Sequence, residues 1–313
     1  MKYVFLYAGQ GSQKEAMGKD FYQEFGCFRS LIDSLDIQVK GKTIKQLMEE
    51  ADLEELSDTC ITQPVMAAFG AGVTEVLKEK GIYPAAACGL SLGEYGALFA
   101  AEVFGPKTYV EITAERGAYM ADASARSDFK MTAVLGMDSK KIEEVCEVCK
   151  DWGYVKLVNY NCPGQYVIGG EEKAVKEAER RLKQEGAKRL VELKVSGPFH
   201  TDFMKPAAEK LEKYLENIPF NEPKIPVAYN CLGGFAKQGE EIKPLLKRQI
   251  QSSVYFEQNL KVFLEAGYEN FLEIGPGRAL SSFVKKTAAA LGKQVRVITV
   301  EKVSDLENLM VDK

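Results

Sequence analysis

A serine hydroxyl becomes a nucleophile when the chain holds it exposed and a neighbouring base takes its proton. Five consecutive residues of this 313-residue chain meet the first condition. Gly89-Leu90-Ser91-Leu92-Gly93 fits G-x-S-x-G, the sharp strand-to-helix turn that lifts a serine above a sheet edge. Small residues are needed there because side chains would collide in so tight a turn. Chance alone gives roughly 0.1 such matches in a chain of this length, so the context has to decide. A small-residue apolar run (AAAC) precedes the motif and a helix-forming run (LGEYGALFAAEVF) follows it. An ordinary glycine turn before a helix is the competing reading.

The second condition singles out one residue. Histidine is the usual base near neutral pH, and the chain has one, His200, in Ser-Gly-Pro-Phe-His-Thr. If histidine activates Ser91, His200 supplies it; a surface or structural histidine is the alternative. Arg116 adds a charge. In KTYVEITAERGAYMADA, Tyr109, Ile112, Arg116 and Met120 recur at three- and four-residue steps, which puts the arginine on an apolar helix face. A cation there needs an anionic partner, either an internal carboxylate or the carboxylate of a substrate held by the planar guanidinium. Gly9-Gln10-Gly11-Ser12-Gln13 lacks the lysine of a P-loop and the spacing of a dinucleotide fingerprint. Beside a serine elbow, such a loop can aim a backbone N–H at a developing oxyanion, together with the N–H of Leu92.

The elements that must position these residues read as alternating strands and helices. Lys2 to Ala8 and Ile82 to Cys88 are expected strands, each running into a glycine turn, and a long helical stretch follows the second. This pattern favours an α/β fold with a largely parallel sheet. From Asp128 the pattern changes. Strands are expected at 129–136, 154–159, 165–169 and 189–195, with helices at 139–151 and 171–185. The order β-α-β-β-α-β is that of a ferredoxin-like unit. Strand and helix signals resume afterwards (VAYNC, GYENFLEIG, QVRVITV), so the expected organisation is a large domain over 1–127 and 197–313 with a small domain, 128–196, inserted in it.

The length suits about two structural units. A net charge of −4 with mixed signs lacks the basic stretch of a nucleic-acid binder. No apolar run is read as approaching the roughly 20 residues of a membrane span, and MKYVFLYAGQ reads as a first strand, not a leader. Seven scattered cysteines fit a reduced cytoplasmic protein. Cys146 and Cys149 have no second pair at zinc-like spacing, so they are expected to be a buried or half-buried pair and not a metal or redox site.

Taken together, GQGSQ at 9–13, GLSLGEY at 89–95, the AERG around Arg116, NCPGQYVIGG at 161–170, GPFH at 197–200, RQ at 248–249 and EIGPGR at 273–278 resemble, in order and over almost the whole chain, the malonyl-CoA:acyl carrier protein transacylases. The resemblance implies an α/β-hydrolase-like large domain with an inserted ferredoxin-like domain and an active site between them. It assigns Ser91 as nucleophile, His200 as base, Arg116 as receptor of the malonyl carboxylate, and the backbone N–H groups of Gln10 and Leu92 as oxyanion donors. Gln249 corresponds to a glutamine whose carbonyl orients the histidine, and Asn161 to an asparagine near the bound thioester. Phe199 resembles the malonyl-preferring form of the GPFH segment. The chain departs from the family at Leu90, where histidine is common. The implied reaction is ping-pong transfer of malonyl from malonyl-CoA to the phosphopantetheine thiol of an acyl carrier protein. It needs no metal or redox cofactor, and a monomer is expected. A hydrolase using the same Ser-His pair and a non-catalytic binding module are the alternatives.

Overall fold

The computed structural model describes residues 1–124 and 128–310. Strand β1 (Tyr3–Tyr7) is buried at all five positions, as expected of a strand covered on both faces. Its period-2 alternation divides it between two apolar clusters. Phe5 and Tyr7 point into the larger cluster, and Val4 and Leu6 into a second one on the opposite face. The larger cluster includes much of helix α1 (Thr59–Glu79), which Asp58 caps by accepting the Cys60 N–H. This helix corrects one expectation from the sequence. By length and composition it could cross a membrane, and its most apolar window is 89% buried in the fold. Polar Thr62, Gln63 and Thr74 interrupt its apolar run without exposing it.

Strand β2 (Pro84–Gly89) leads through the glycine turn into helix α2 (Gly93–Ala100), and helix α3 (Pro106–Ala123) follows. Helix α3 lies along α1. The approach is close at Gly117, where an added Cβ would stand 2.7 Å from the Thr59 carbonyl oxygen. As the spacing predicts, Tyr109, Ile112, Arg116 and Met120 all face inward.

Strand β3 (Phe129–Leu135), helix α4 (Ser139–Val148), β4 (Val155–Cys162), β5 (Gln165–Glu171), helix α5 (Glu172–Gln184) and β6 (Arg189–Glu192) form an antiparallel sheet of order β4-β5-β3-β6. With the two helices on one face, this is the ferredoxin-like arrangement. Ile142, Val145 and Cys146 from α4 and Ala174, Val175, Ala178 and Leu182 from α5 cover that face. Met131, Val158 and Val167 on the other face join the larger cluster. Helix α4 is shorter than expected because the chain tightens into a 3₁₀ turn at Cys149–Trp152, ahead of Gly153 at φ 131°. Strand β6 ends at Glu192, freeing the chain to run toward His200.

Helix α6 (Ile242–Gln251), strand β7 (Asn270–Ile274), helix α7 (Ala279–Ala290) and β8 (Arg296–Val300) complete the larger unit. Its parallel sheet has the order β8-β7-β1-β2. In VAYNC only Ala228–Tyr229 is strand, paired in a short hairpin with Gly234–Phe235. The larger unit also touches the edge of the small sheet. Val254 exchanges backbone hydrogen bonds with Val158 and Tyr160 of β4, each of 2.8 Å. The protein is therefore α/β, with a four-stranded parallel sheet and a separate four-stranded antiparallel one.

Candidate active site

Strands β1 and β2 run parallel with Tyr7 opposite Gly89, so the loops after them leave the same sheet edge side by side. That edge, beyond the carboxyl ends of parallel strands, is where α/β sheets hold ligands. A Cβ on Gly89 would lie 2.0 Å from the Gly93 carbonyl, and one on Gly93 would lie 2.0 Å from the Tyr7 oxygen. Both glycines of the motif are thus required for the turn to close against β1. Between them Ser91 is held at φ 54°, a left-handed conformation that costs about 1–3 kcal/mol outside glycine.

His200 also has positive φ, 61°, and is 3% exposed. Its Nε2 lies 2.7 Å from Ser91 Oγ and its Nδ1 lies 3.0 Å from the Gln249 carbonyl oxygen. A carbonyl only accepts, so Nδ1 carries the proton and Nε2 presents its lone pair to the serine. Burial, followed by the nearby Arg116 charge, pushes the imidazole down to about 3. The ring is therefore neutral at pH 7, with its Nε2 lone pair facing the serine hydroxyl.

Arg116 is 1% exposed. Its guanidinium donates to Gln63 Oε1 at 2.7 Å, Gln249 Oε1 at 3.1 Å and Ser91 Oγ at 3.2 Å, and its Nε has no partner among the described residues. The Tyr95 ring lies 5.3 Å away. Among the described residues no carboxylate forms an ion pair with it, so the internal ion pair weighed from the sequence is not what fills this place. The carboxylate on the neighbouring helix α2, Glu94, is fully buried, and burial pushes it up to about 8, toward the neutral acid. An unpaired buried cation costs several kcal/mol (roughly 3–5) unless a ligand offsets it. The arrangement is that of a receptor for an anionic acyl group, with one hydroxyl shared by the base and the cation.

The remaining expected residues divide. Gln249, on α6, joins the cluster through its carbonyl and also through its side chain, which donates to the Ser91 carbonyl at 2.7 Å. Gln10 lies beside the elbow: a Cβ on the preceding Gly9 would stand 2.5 Å from the Leu90 oxygen. The Gln10 side chain is turned to Thr59 Oγ1 at 2.9 Å, which in turn meets Ser196 Oγ at 2.7 Å. Among the described residues no backbone group accepts the N–H of Gln10 or of Leu92. Asn161, at the end of β4, is 8% exposed with its Oδ1 unpartnered among the described residues, and no hydrogen bond joins it to Ser91, His200 or Arg116. Phe199 packs into the larger cluster next to His200. Leu90 donates its N–H to the Tyr7 carbonyl at 3.2 Å and turns its side chain to the second cluster.

Sequence reasoning missed Gln63, Asn230 and Glu94. Asn230 accepts the Ser91 N–H at 2.6 Å, and its own N–H goes to Glu94. Cys146 and Cys149 are free and buried, and among the described residues no group of three or more His, Cys, Asp or Glu is placed to hold a metal ion.

The acyl transferase domain family matches residues 4–308. Malonyl CoA-acyl carrier protein transacylase of Bacillus subtilis (strain 168) is 38% identical over 307 residues, covering 98% of this chain and 95% of that protein. The crystal structure of malonyl CoA-acyl carrier protein transacylase from Clostridium perfringens superposes with a TM-score of 0.93 at 35% identity, over 99% of this chain and 96% of that one. A malonyl-transacylase solved in complex with its type II polyketide acyl carrier protein gives 0.93 at 32% identity, over 100% of both chains. With its fold and its full length shared, the chain belongs to the acyl transferase family, among the malonyl CoA-acyl carrier protein transacylases.

Proposed function

We propose that the chain transfers malonyl from malonyl-CoA to the phosphopantetheine thiol of an acyl carrier protein through a malonyl-Ser91 ester. The observation that carries this reading is the surroundings of Ser91 Oγ: a neutral imidazole at 2.7 Å and, at 3.2 Å, a guanidinium that no carboxylate among the described residues pairs with. In the first half-reaction Ser91 Oγ attacks the thioester carbonyl as its proton passes to His200 Nε2. The tetrahedral oxyanion rests on the N–H groups of Gln10 and Leu92. The C–S bond breaks and coenzyme A leaves with the proton from His200. In the second half the carrier thiol gives its proton to His200 and attacks the ester, and Ser91 leaves as the hydroxyl. Arg116 holds the malonyl carboxylate through both halves. The Gln249 carbonyl takes the orienting place that a carboxylate fills in most serine triads. Asn161 borders the thioester and Phe199 shapes the acyl pocket.

The scaffold for this chemistry is a large α/β-hydrolase-like domain of residues 1–127 and 197–313 with a ferredoxin-like domain of residues 128–196. The free cysteines fit work in the reducing cytoplasm. Full-length kinship with transacylases favours transfer over hydrolysis. The partition of product tests this directly. With malonyl-CoA alone, little free malonate is expected; with holo carrier protein added, malonyl should appear on the carrier. Malonate released without carrier at the rate of transfer would make the enzyme a hydrolase.

A further inference from the structure

A left-handed serine outside a helix persists only where its neighbours hold it. At Ser91 two side chains far along the chain share that work: Gln249 Nε2 donates to the Ser91 carbonyl at 2.7 Å, and Asn230 holds the peptides that precede it. Asn230 Oδ1 accepts the Ser91 N–H at 2.6 Å, and Asn230 Nδ2 donates to the Gly89 carbonyl at 2.8 Å. One planar amide thus bridges the two peptides that lead into the nucleophile. Asn230 is itself held at both backbone groups: its N–H donates to Glu94 Oε2, and its carbonyl accepts the Tyr255 N–H at 2.8 Å. Glu94 and Asn230 are both fully buried. Glu94 sits three residues after Ser91 in the first turn of α2. The helix that begins at the elbow therefore reaches across to hold the amide that holds the elbow.

We propose that Asn230 is the positioning residue of the nucleophile, with Glu94 as its anchor. It keeps Ser91 Oγ in line with His200 Nε2. By occupying the Ser91 N–H it also removes that donor from the oxyanion site, leaving the N–H groups of Leu92 and Gln10. Glu94 acts only as an acceptor here; burial holds it near neutrality, so an amide can take its place. The inference rests on Ser91 being the residue that malonyl-CoA acylates.

The test is the rate of the malonyl adduct on Ser91, followed by quenched-flow mass measurement of the full chain, with circular dichroism as a check on folding. Asn230→Ala should slow acylation about 100-fold, the scale of a misplaced reacting group, while KM for malonyl-CoA stays within about threefold. Glu94→Ala should slow it in the same way, and Glu94→Gln, which keeps the acceptor, should restore it to within a few-fold. If Asn230→Ala does not fold, the two Glu94 variants decide. Acylation within about threefold of the native rate in Asn230→Ala overturns the inference, as does a loss expressed in KM alone. Equal losses in Glu94→Gln and Glu94→Ala overturn it too. A native chain that takes no malonyl overturns the functional reading as well, whereas a fully labelled native chain beside an unaffected Asn230→Ala overturns this inference alone.

Discussion

Arg116 donates to two amides and a hydroxyl, and those contacts return less than the desolvation of a guanidinium costs. On the proposed reading a malonyl carboxylate offsets the difference, and an acetyl group has no charge with which to do so. Arg116→Ala should therefore lower kcat/KM for malonyl-CoA about 10- to 100-fold, the worth of a charged hydrogen bond of about 1.5–3 kcal/mol, and change acetyl transfer little. Parallel kinetics with the two acyl-CoAs check this, and equal losses would make the arginine structural. Arg116 was legible in the sequence because a cation on an apolar helix face is conspicuous. The same reasoning reached Ser91 and His200, one through a rare motif and the other as the single histidine. It could not reach Gln63 or Asn230. Neutral amides carry no charge signal and no distinctive periodicity, and their value comes from contacts 53 and 139 residues away in sequence. Glu94 was hidden in plain view, as one of 45 acidic residues, and what sets it apart is its full burial against the Asn230 N–H.

At the scale of elements, the elbow is a packing problem between β1, β2 and α2. Gly93 lets the first turn of α2 rest on the Tyr7 carbonyl, and Gly96 lets the next rest on the Tyr7 ring, where a Cβ would come within 2.5 Å. Gly93→Ala should cost about 3 kcal/mol or more, because the obstructing atom is backbone and cannot swing away. Chemical denaturation would show it as a lower midpoint with an unchanged slope; a native midpoint would mean the turn has slack. Strand β1 and the β-α-β-β-α-β order were readable because continuous apolar runs and period changes are local signals. The ends of elements were less so. Helix α4 gives way to a 3₁₀ turn and β6 stops three residues early, where tertiary geometry and not propensity sets the limit. The membrane-length character of α1 was missed for a related reason, since scattered threonines and a glutamine mask an apolar run that the fold buries almost entirely.

Across the whole molecule, hydrogen bonds connect the small sheet to the nucleophile. Strand β4 pairs with Val254, the next residue bonds Asn230, and Asn230 bonds Ser91. The loops after β1 and β2 and the segment after β6 meet at one edge of the parallel sheet, which brings Gln10, Ser91 and His200 together from three parts of the chain. The family resemblance carried the acceptor and the acyl group, which no local pattern encodes. The most direct test of malonyl transfer through Ser91 is the intact mass of the protein after brief exposure to a mixture of acyl-CoAs, with peptide mapping before and after holo carrier protein is added. A single malonyl adduct on Ser91, discharged to the carrier, is expected. An adduct on another residue, an acetyl adduct in preference to malonyl, or a malonyl-Ser91 ester that the carrier cannot discharge would contradict it.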